Sequence, residues 1–105
     1  MAAYIQAVTS IDSREGAQKI ADHLVENRLA ACVQVIGPVD STFFWEGKVQ
    51  REREWLCLAK TKKDLYRRLE NEVNRIHPYE EPEIIALPIL MGSRSYLDWV
   101  EEQVR

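Results

Sequence analysis

Cys32 and His77 are candidate ligands of a metal ion, because copper favours thiolate and imidazole ligands. The alternative for Cys32 is a small buried hydrophobe on the inner face of a strand, since free cysteine is among the most buried residue types. The alternative for His77 is a histidine at the end of a helix, where a positive charge interacts favourably with the helix dipole. The sequence leaves both interpretations open at each position.

The elements that must position these residues follow from the spacing of apolar side chains. The pattern predicts a strand at Tyr4–Thr9, a helix capped by Asp12 or Ser13, strand-like runs at Ala31–Trp45 and Val49–Thr61, a second helix at Thr61–Arg75 capped by Thr61, a strand at Ile84–Leu90 and a final helix opened by Gly92-Ser93. This order predicts an α+β fold, a ferredoxin-like βαββαβ sandwich with an extra C-terminal helix.

The two strand-like runs form one long hairpin, because Gly47 between them can take the positive φ of a tight turn. A bulge is expected at Gly37-Pro38, since proline cannot donate to a strand ladder. The last predicted strand is apolar throughout, which suits burial on both faces, although Pro88 restricts it to an edge or a bulge.

The hairpin is too long for the domain that carries it. Arms of about 13 to 15 residues run roughly 43 to 50 Å, whereas a compact chain of this size is roughly 35 Å across. The overhanging end carries Phe43, Phe44 and Trp45, with Val49 opposite. If the hairpin curls over its own domain, these aromatics are ordinary core. If it does not, they predict self-assembly into a closed ring in which overhanging strands extend the sheets of neighbours.

The hairpin register also bears on the two cysteines. A turn centred between Glu46 and Gly47 places Cys57 opposite about Ile36, some four residues along from Cys32. That separation is about 13 Å, beyond the ~7 Å Cα limit of a disulfide. We therefore expect neither an intramolecular bridge nor a two-cysteine metal site within one subunit.

Composition limits the classes of function. The chain of 105 residues is 46% hydrophobic and 30% charged with a net charge of −3, which favours a single domain over residues 1–105. The acidic balance predicts no nucleic-acid partner, and the apolar runs are too short for direct membrane insertion. Without the pattern of a signal peptide at its start, the sequence predicts a cytoplasmic protein.

Three segments carry a family resemblance: Ala30-Ala31-Cys32-Val33, Phe44-Trp45-Glu46-Gly47-Lys48, and the run from His77 through Tyr79 and Glu80 to Pro88. In this order and spacing they resemble the signature segments of the CutA family, the divalent-cation tolerance proteins. The resemblance implies a ferredoxin-like homotrimer, similar in architecture to the PII signalling proteins, joined through the long hairpin and the final helix. The interface residues it implies are Phe43, Phe44, Trp45 and Trp99.

The resemblance also implies a function that is not catalytic, because no enzymatic activity is established for the family. Family members are associated with tolerance of divalent metals, some bind copper, and those of animals are linked to membrane anchoring of acetylcholinesterase. Some members carry a further cysteine in the first strand or a second histidine beside the patterned one, where this chain has Ala7-Val8 and Ile76. A metal site here must recruit Cys32, His77, Glu80 or Glu83, across subunits if needed. We expect weak, exchangeable binding of copper or another divalent cation and no tightly bound cofactor.

A cleft between subunits is the other site that the resemblance implies. Trp45, Lys60 and Tyr79 would line it together with Glu80 and Glu83, the alternative being that these residues only lock the trimer. Three functions follow: a metal-tolerance protein, a PII-like sensor of a small molecule, and a non-catalytic trimeric scaffold for a protein partner that the sequence does not name. An acylphosphatase-like enzyme is disfavoured, because the loop Ser10–Gly16 has two acids and one glycine and cradles phosphate poorly.

Overall fold

A computed structural model describes residues 3–105 of the chain. In chain order the elements are β1 (Tyr4–Ile11), α1 (Arg14–Glu26), β2 (Cys32–Trp45), β3 (Lys48–Lys62), a 3-10 turn (Lys63–Leu65), α2 (Tyr66–Ile76), β4 (Ile84–Pro88) and α3 (Arg94–Gln103). The strands form one antiparallel sheet in the order β2-β3-β1-β4. The predicted α+β, ferredoxin-like fold with its long hairpin and additional C-terminal helix is confirmed.

The core lies between one face of the sheet and helices α1 and α2. The Ser13 hydroxyl caps α1 by accepting a 2.9 Å hydrogen bond from the Gly16 N–H, so Ser13 rather than Asp12 is the cap. From this start the helix buries a stripe with helical spacing, Ala17, Ile20, Ala21 and Leu24, against the strands. The opposite face of the sheet is open over much of its area, and Ile36, Ile85 and Leu87 are each about half exposed there.

The hairpin turns where its sequence predicts. Glu46 and Gly47 both have positive φ, 52° and 79°, which is the backbone of a two-residue turn that matches the strand twist. Trp45 faces Lys48 across the turn, and the register shifts between Ile36 and Val39, which confirms the bulge expected at Gly37-Pro38.

Half of this hairpin extends past the rest of the sheet. β1 ends at Ile11 opposite Trp55, so Lys48–Glu54 of β3 and the facing Val39–Trp45 of β2 have no third strand beside them in the described part of the chain. We call these two segments the overhang; they give the molecule its long axis of 44 Å against 25 and 22 Å. The aromatics of the overhang are not core of their own chain, since Phe44 is 75% exposed and Trp45 38% exposed.

Three details differ from expectation. Thr61 was predicted to cap the second helix, but it lies inside β3, because pairing with β1 continues as far as Tyr4 and Lys62 and delays the helix. Cys57 lies opposite Val35 rather than Ile36, since the bulge shifts the register by one residue. β4 is not buried on both faces, because it is the edge strand and its residues from Ile85 to Pro88 are exposed. Its position at the edge is the one that Pro88 requires.

Candidate functional site

Cys32 begins β2 and is partly buried, on the sheet face away from α1 and α2. It lies opposite Lys60, which in turn lies opposite Gln6 of β1. Lys60 donates a hydrogen bond to Gln34 on the same face. Cys32 and Lys60 are therefore neighbours at one end of the sheet.

Cys57 has a different environment inside the core. Its side chain is 1% exposed, and its thiol donates to the Ala17 carbonyl at 3.4 Å. Burial raises the pKa of the Cys57 thiol from 9.0 to about 11, so the thiol stays protonated at neutral pH and is a poor metal ligand. With Val35 opposite Cys57, Cys32 lies three residues away along β2, a distance of about 10 Å.

His77 is buried, and backbone groups occupy both of its ring nitrogens. Nε2 lies 2.8 Å from the Ser10 carbonyl and Nδ1 lies 3.1 Å from the Tyr79 N–H. Because the carbonyl can only accept and the N–H can only donate, the ring is the tautomer with its proton on Nε2. In this arrangement the imidazole holds the loop after α2 against the end of β1, and neither nitrogen is free for a metal.

The structure does not bring Cys32 and His77 together within one copy. His77 bonds to the Ser10 carbonyl of β1. Cys32 lies across the sheet from Gln6 of β1, with Lys60 between them, and Gln6 precedes Ser10 by four residues. The positions of Gln6 and Ser10 are about 13 Å apart along the strand. In the range 3–105 no group of three or more His, Cys, Asp or Glu side chains lies close enough to hold a metal ion jointly. A tightly held ion therefore does not fit the residues of a single copy.

Tyr79 joins the loop after α2 to the hairpin. Its hydroxyl donates a 2.8 Å hydrogen bond to Glu54 Oε2, and its ring meets His77 edge-on with centroids 4.6 Å apart. Burial, and then the hydrogen bond to Glu54, raise the pKa of Tyr79 well above its usual value of 10.0. The phenol therefore remains a donor at any physiological pH.

Beyond the end of β1, between the overhang and the loop Pro78–Glu83, lies an open cleft of about 690 Å³. Six of its lining side chains are carboxylates: Asp12, Glu52, Glu54, Glu80, Glu81 and Glu83. Phe43, Trp45 and Tyr79 supply the aromatic part of the wall, and none of the lining residues is Lys, Arg or His. We call this feature the acidic cleft. It concentrates negative charge beside aromatic surface, which favours a cation over an anion.

The acidic cleft unites some of the predicted site residues and leaves others out. Glu80, Glu83, Trp45 and Tyr79 line it within one copy, and the Ser10 hydroxyl donates to Glu83 at 3.3 Å. Lys60 lies elsewhere, beside Cys32. Among the predicted interface residues, Phe43 lines the cleft, Phe44 points away from it with Val49, and Trp99 lies on α3 beside Tyr96 with ring centroids 5.6 Å apart.

Sequence reasoning missed Glu52, Glu54, Asp12 and Glu81. The first two had a readable signal, because Arg51-Glu52-Arg53-Glu54 alternates in charge with the two-residue period of a strand. That alternation puts both glutamates on one face of the overhang and both arginines on the other. Asp12 and Glu81 lie in loops, where no periodicity indicates which way a side chain faces.

The fold and the cleft together define a class: a ferredoxin-like domain with an overhanging hairpin and an acidic cleft at its base. No helix among residues 3–105 is long and apolar enough to cross a membrane. A family described as "CutA1 divalent ion tolerance protein" matches residues 5–103. The chain belongs to this family, as its signature segments led us to expect.

Individual relatives agree with the family match. The chain is 45% identical over 93 residues to the divalent-cation tolerance protein CutA of Thermus thermophilus, covering 89% of this chain and 90% of that protein. It is 41% identical over 101 residues to the chloroplastic protein CutA of Arabidopsis thaliana, covering 96% of this chain but only 56% of the Arabidopsis protein. The solved structure of the Thermus divalent cation tolerance protein superposes with a TM-score of 0.95 at 41% identity, over 97% of this chain and 99% of that one.

Proposed function

We propose that the chain acts in the response to divalent metal ions as a homotrimer that binds such ions weakly and exchangeably. The observation that carries the proposal is the acidic cleft, whose open wall carries six carboxylates and no cationic side chain. Clustered carboxylates repel one another, and a divalent cation relieves that repulsion.

The donor set favours weak binding with little discrimination. Glu80 and Glu83 offer oxygen ligands, which suit hard ions such as Mn²⁺ or Mg²⁺ better than copper. Selectivity for copper requires Cys32 or His77 as well. Cys32 lies outside the cleft of its own copy and would come from another subunit, whereas His77 would become available only after the loop opens, because backbone groups occupy both of its ring nitrogens. The proposal is therefore a divalent-cation site in which copper is one candidate ion.

Titration calorimetry with Mn²⁺ and with Cu²⁺ tests this ligand set. The paired variant Glu80→Gln/Glu83→Gln is expected to lose most of the binding heat for both ions. Glu102→Gln, on the exposed side of α3, is the matched control and should bind like the parent. Equal heats from the parent and the double variant would exclude Glu80 and Glu83 as ligands. A further variant, His77→Ala, that loses heat only for Cu²⁺ would assign a role in copper binding to His77.

The homotrimer is supported by apolar surface that a single copy leaves in water. Phe44, Val49, Ile85 and Leu87 are all between 45% and 75% exposed. A monomer with this much apolar surface would be prone to aggregate, and assembly buries it. Sedimentation at micromolar concentration should give three times the chain mass of 12.2 kDa, and a stable monomer would refute the assembly.

A PII-like sensor of a small molecule is the second candidate, because a volume of 690 Å³ lies in the range of small-ligand sites. The carboxylates make the candidate ligand cationic and disfavour a nucleotide. A thermal shift from an organic cation but not from metal ions would favour this function. A trimeric scaffold for a protein partner would show neither shift.

The proposed role is non-catalytic, and the proposed compartment is the cytoplasm. The loop at the start of α1 supports the first point, since its Ser13 hydroxyl is engaged in capping and its Asp12 faces the acidic cleft. Relatives include a protein named chloroplastic. Fractionation of cells that express the chain from its own gene would test the compartment.

A further inference from the structure

Glu54 is a buried carboxylate that has no positively charged partner within residues 3–105. Its side chain is 7% exposed, and the ion pairs of the described chain all involve other residues. The Tyr79 hydroxyl binds Oε2, which leaves Oε1 without a donor from the described residues. Glu54 lines the acidic cleft, so a cation in the cleft can reach Oε1. Because a buried charge is costly unless it is paired, the surroundings of Glu54 favour such a cation.

The other carboxylates of the acidic cleft are dispersed along its walls. Glu52 lies two residues before Glu54 on β3, about 7 Å away, and the loop Pro78–Glu83 carries three more carboxylates. Across the described range, no three of these groups lie close enough to hold one ion jointly. A compact ion therefore neutralises only part of the cleft, whereas a ligand with several separated positive charges can neutralise more of it.

Aromatic surface lies between these charges. Phe43 and Trp45 alternate along one face of β2, each is 38% exposed, and both line the cleft with Tyr79. An aromatic ring face attracts an organic ammonium group and packs against the methylene groups beside it. A hydrated inorganic ion has no methylene groups to pack there. The wall therefore favours a ligand in which short alkyl segments separate the positive charges.

Linear polyamines have this chemistry. Their ammonium groups resemble that of lysine, whose pKa is about 10.4, so they are charged at neutral pH and donate hydrogen bonds to carboxylates. Their charges are separated by three or four methylene groups. The cleft volume of about 690 Å³ is in the range of small-ligand sites.

We propose that the acidic cleft binds a linear polyamine of the spermidine type, with one ammonium group at Glu54 and the methylene segments along Phe43 and Trp45. The inference rests on the cation-binding cleft of the proposed function and names the class of its organic ligand.

A comparison of two trivalent cations tests the proposal on the unmodified protein. Spermidine and hexaamminecobalt(III) carry the same charge, but the cobalt complex is compact, exchanges its ligands very slowly and has no methylene groups. In calorimetry at equal ionic strength, we expect spermidine to bind with a Kd at least about tenfold lower. Equal Kd values would show that the cleft recognises charge alone and would overturn the polyamine assignment.

Two variants locate the ligand within the cleft. Glu54→Gln should raise the Kd of spermidine by about tenfold, and Glu102→Gln is its control. Trp45→Leu should raise the Kd of spermidine and leave that of hexaamminecobalt(III) unchanged. The matched control is Trp99→Leu on α3, where the indole is 40% exposed, and neither Kd should change. Sedimentation of each variant checks that its assembly equals that of the parent.

The outcomes separate this inference from the function on which it rests. If Mn²⁺ binds through Glu80 and Glu83 while spermidine gains nothing over hexaamminecobalt(III), the polyamine assignment fails and the metal site stands. If no cation gives binding heat, both fail. If spermidine binds but neither Glu54→Gln nor Trp45→Leu weakens it, the ligand lies outside the cleft and the assignment is overturned.

Discussion

The Tyr79 hydroxyl donates a 2.8 Å hydrogen bond to Oε2 of Glu54, and this contact ties the loop after α2 to the base of the overhang. Glu54 is only 7% exposed, although it carries a carboxylate. A carboxylate at that depth needs donors, and the Tyr79 phenol is a donor within reach. The shape of the acidic cleft therefore depends on this pair.

Removing the phenol should destabilise the protein. Tyr79→Phe leaves the buried Glu54 carboxylate without this donor, and we expect a loss of about 1–3 kcal/mol in the free energy of unfolding. Urea unfolding followed by circular dichroism measures the loss. Tyr96→Phe, which removes a phenol from a 40% exposed side chain, is the control and should cost little. Equal losses from the two variants would show that the Glu54 contact contributes nothing particular.

Gly37 is predicted to tolerate no side chain. A Cβ at this position would clash with Cδ1 of Trp55 and would lie 2.7 Å from its Cγ, so the indole packs directly on the glycine backbone. Gly37→Ala should destabilise by about 1–3 kcal/mol through overpacking. In a Trp55→Leu background the same substitution should cost less, because the smaller side chain can move away. A cost that is the same in both backgrounds would assign the effect to the backbone at Gly37 rather than to the clash.

The decline of the unfolding free energy at acid pH should depend on Glu72. Hydrogen bonds from Arg75, and then from His23, lower the pKa of Glu72 from 4.5 to about 2. A group whose pKa is lower in the folded state stabilises above its unfolded value and loses that contribution as the pH falls from about 4.5 towards about 2.

The measurement is chemical unfolding at a series of pH values. Glu72→Gln should flatten the decline of the unfolding free energy between pH 4.5 and pH 2, and Glu102→Gln should leave it unchanged. High salt should weaken the effect, since the Glu72 side chain is 32% exposed and the pair is open to screening. If the unfolding free energy falls equally steeply with pH in Glu72→Gln and in the parent, Glu72 is not the group responsible.

The parts of the fold that sequence could predict are those set by local patterns. The turn at Glu46-Gly47 and the helix α1 depend on residues a few positions apart, and both were predicted. The Thr61 cap failed because pairing between Tyr4 and Lys62, which are distant in sequence, decides where β3 ends. Local patterns carry no information on such pairing.

The candidate site was predictable only in part for the same reason. Glu80 and Glu83 came from a signature segment, whereas the acidic face around Glu52 was missed, although its charge alternation was readable. That His77 is held by Ser10, 67 residues away, has no sequence signal. The type of a residue suggests a ligand, but its hydrogen-bond partners decide whether it is free to bind one.

The two thiols should differ sharply in reactivity. Cys57 is 1% exposed and its pKa is raised to about 11, so at pH 8 only about 0.1% of it is thiolate, in a position that a reagent cannot reach. In Cys32→Ser, where Cys57 is the remaining thiol, dithionitrobenzoate should react slowly in native buffer and within seconds in guanidinium. Because access then requires opening of the core, the native rate should rise in destabilised backgrounds such as Gly37→Ala. Rapid labelling of native Cys32→Ser would show that the core around Ala17 and Cys57 opens far more readily than its packing implies.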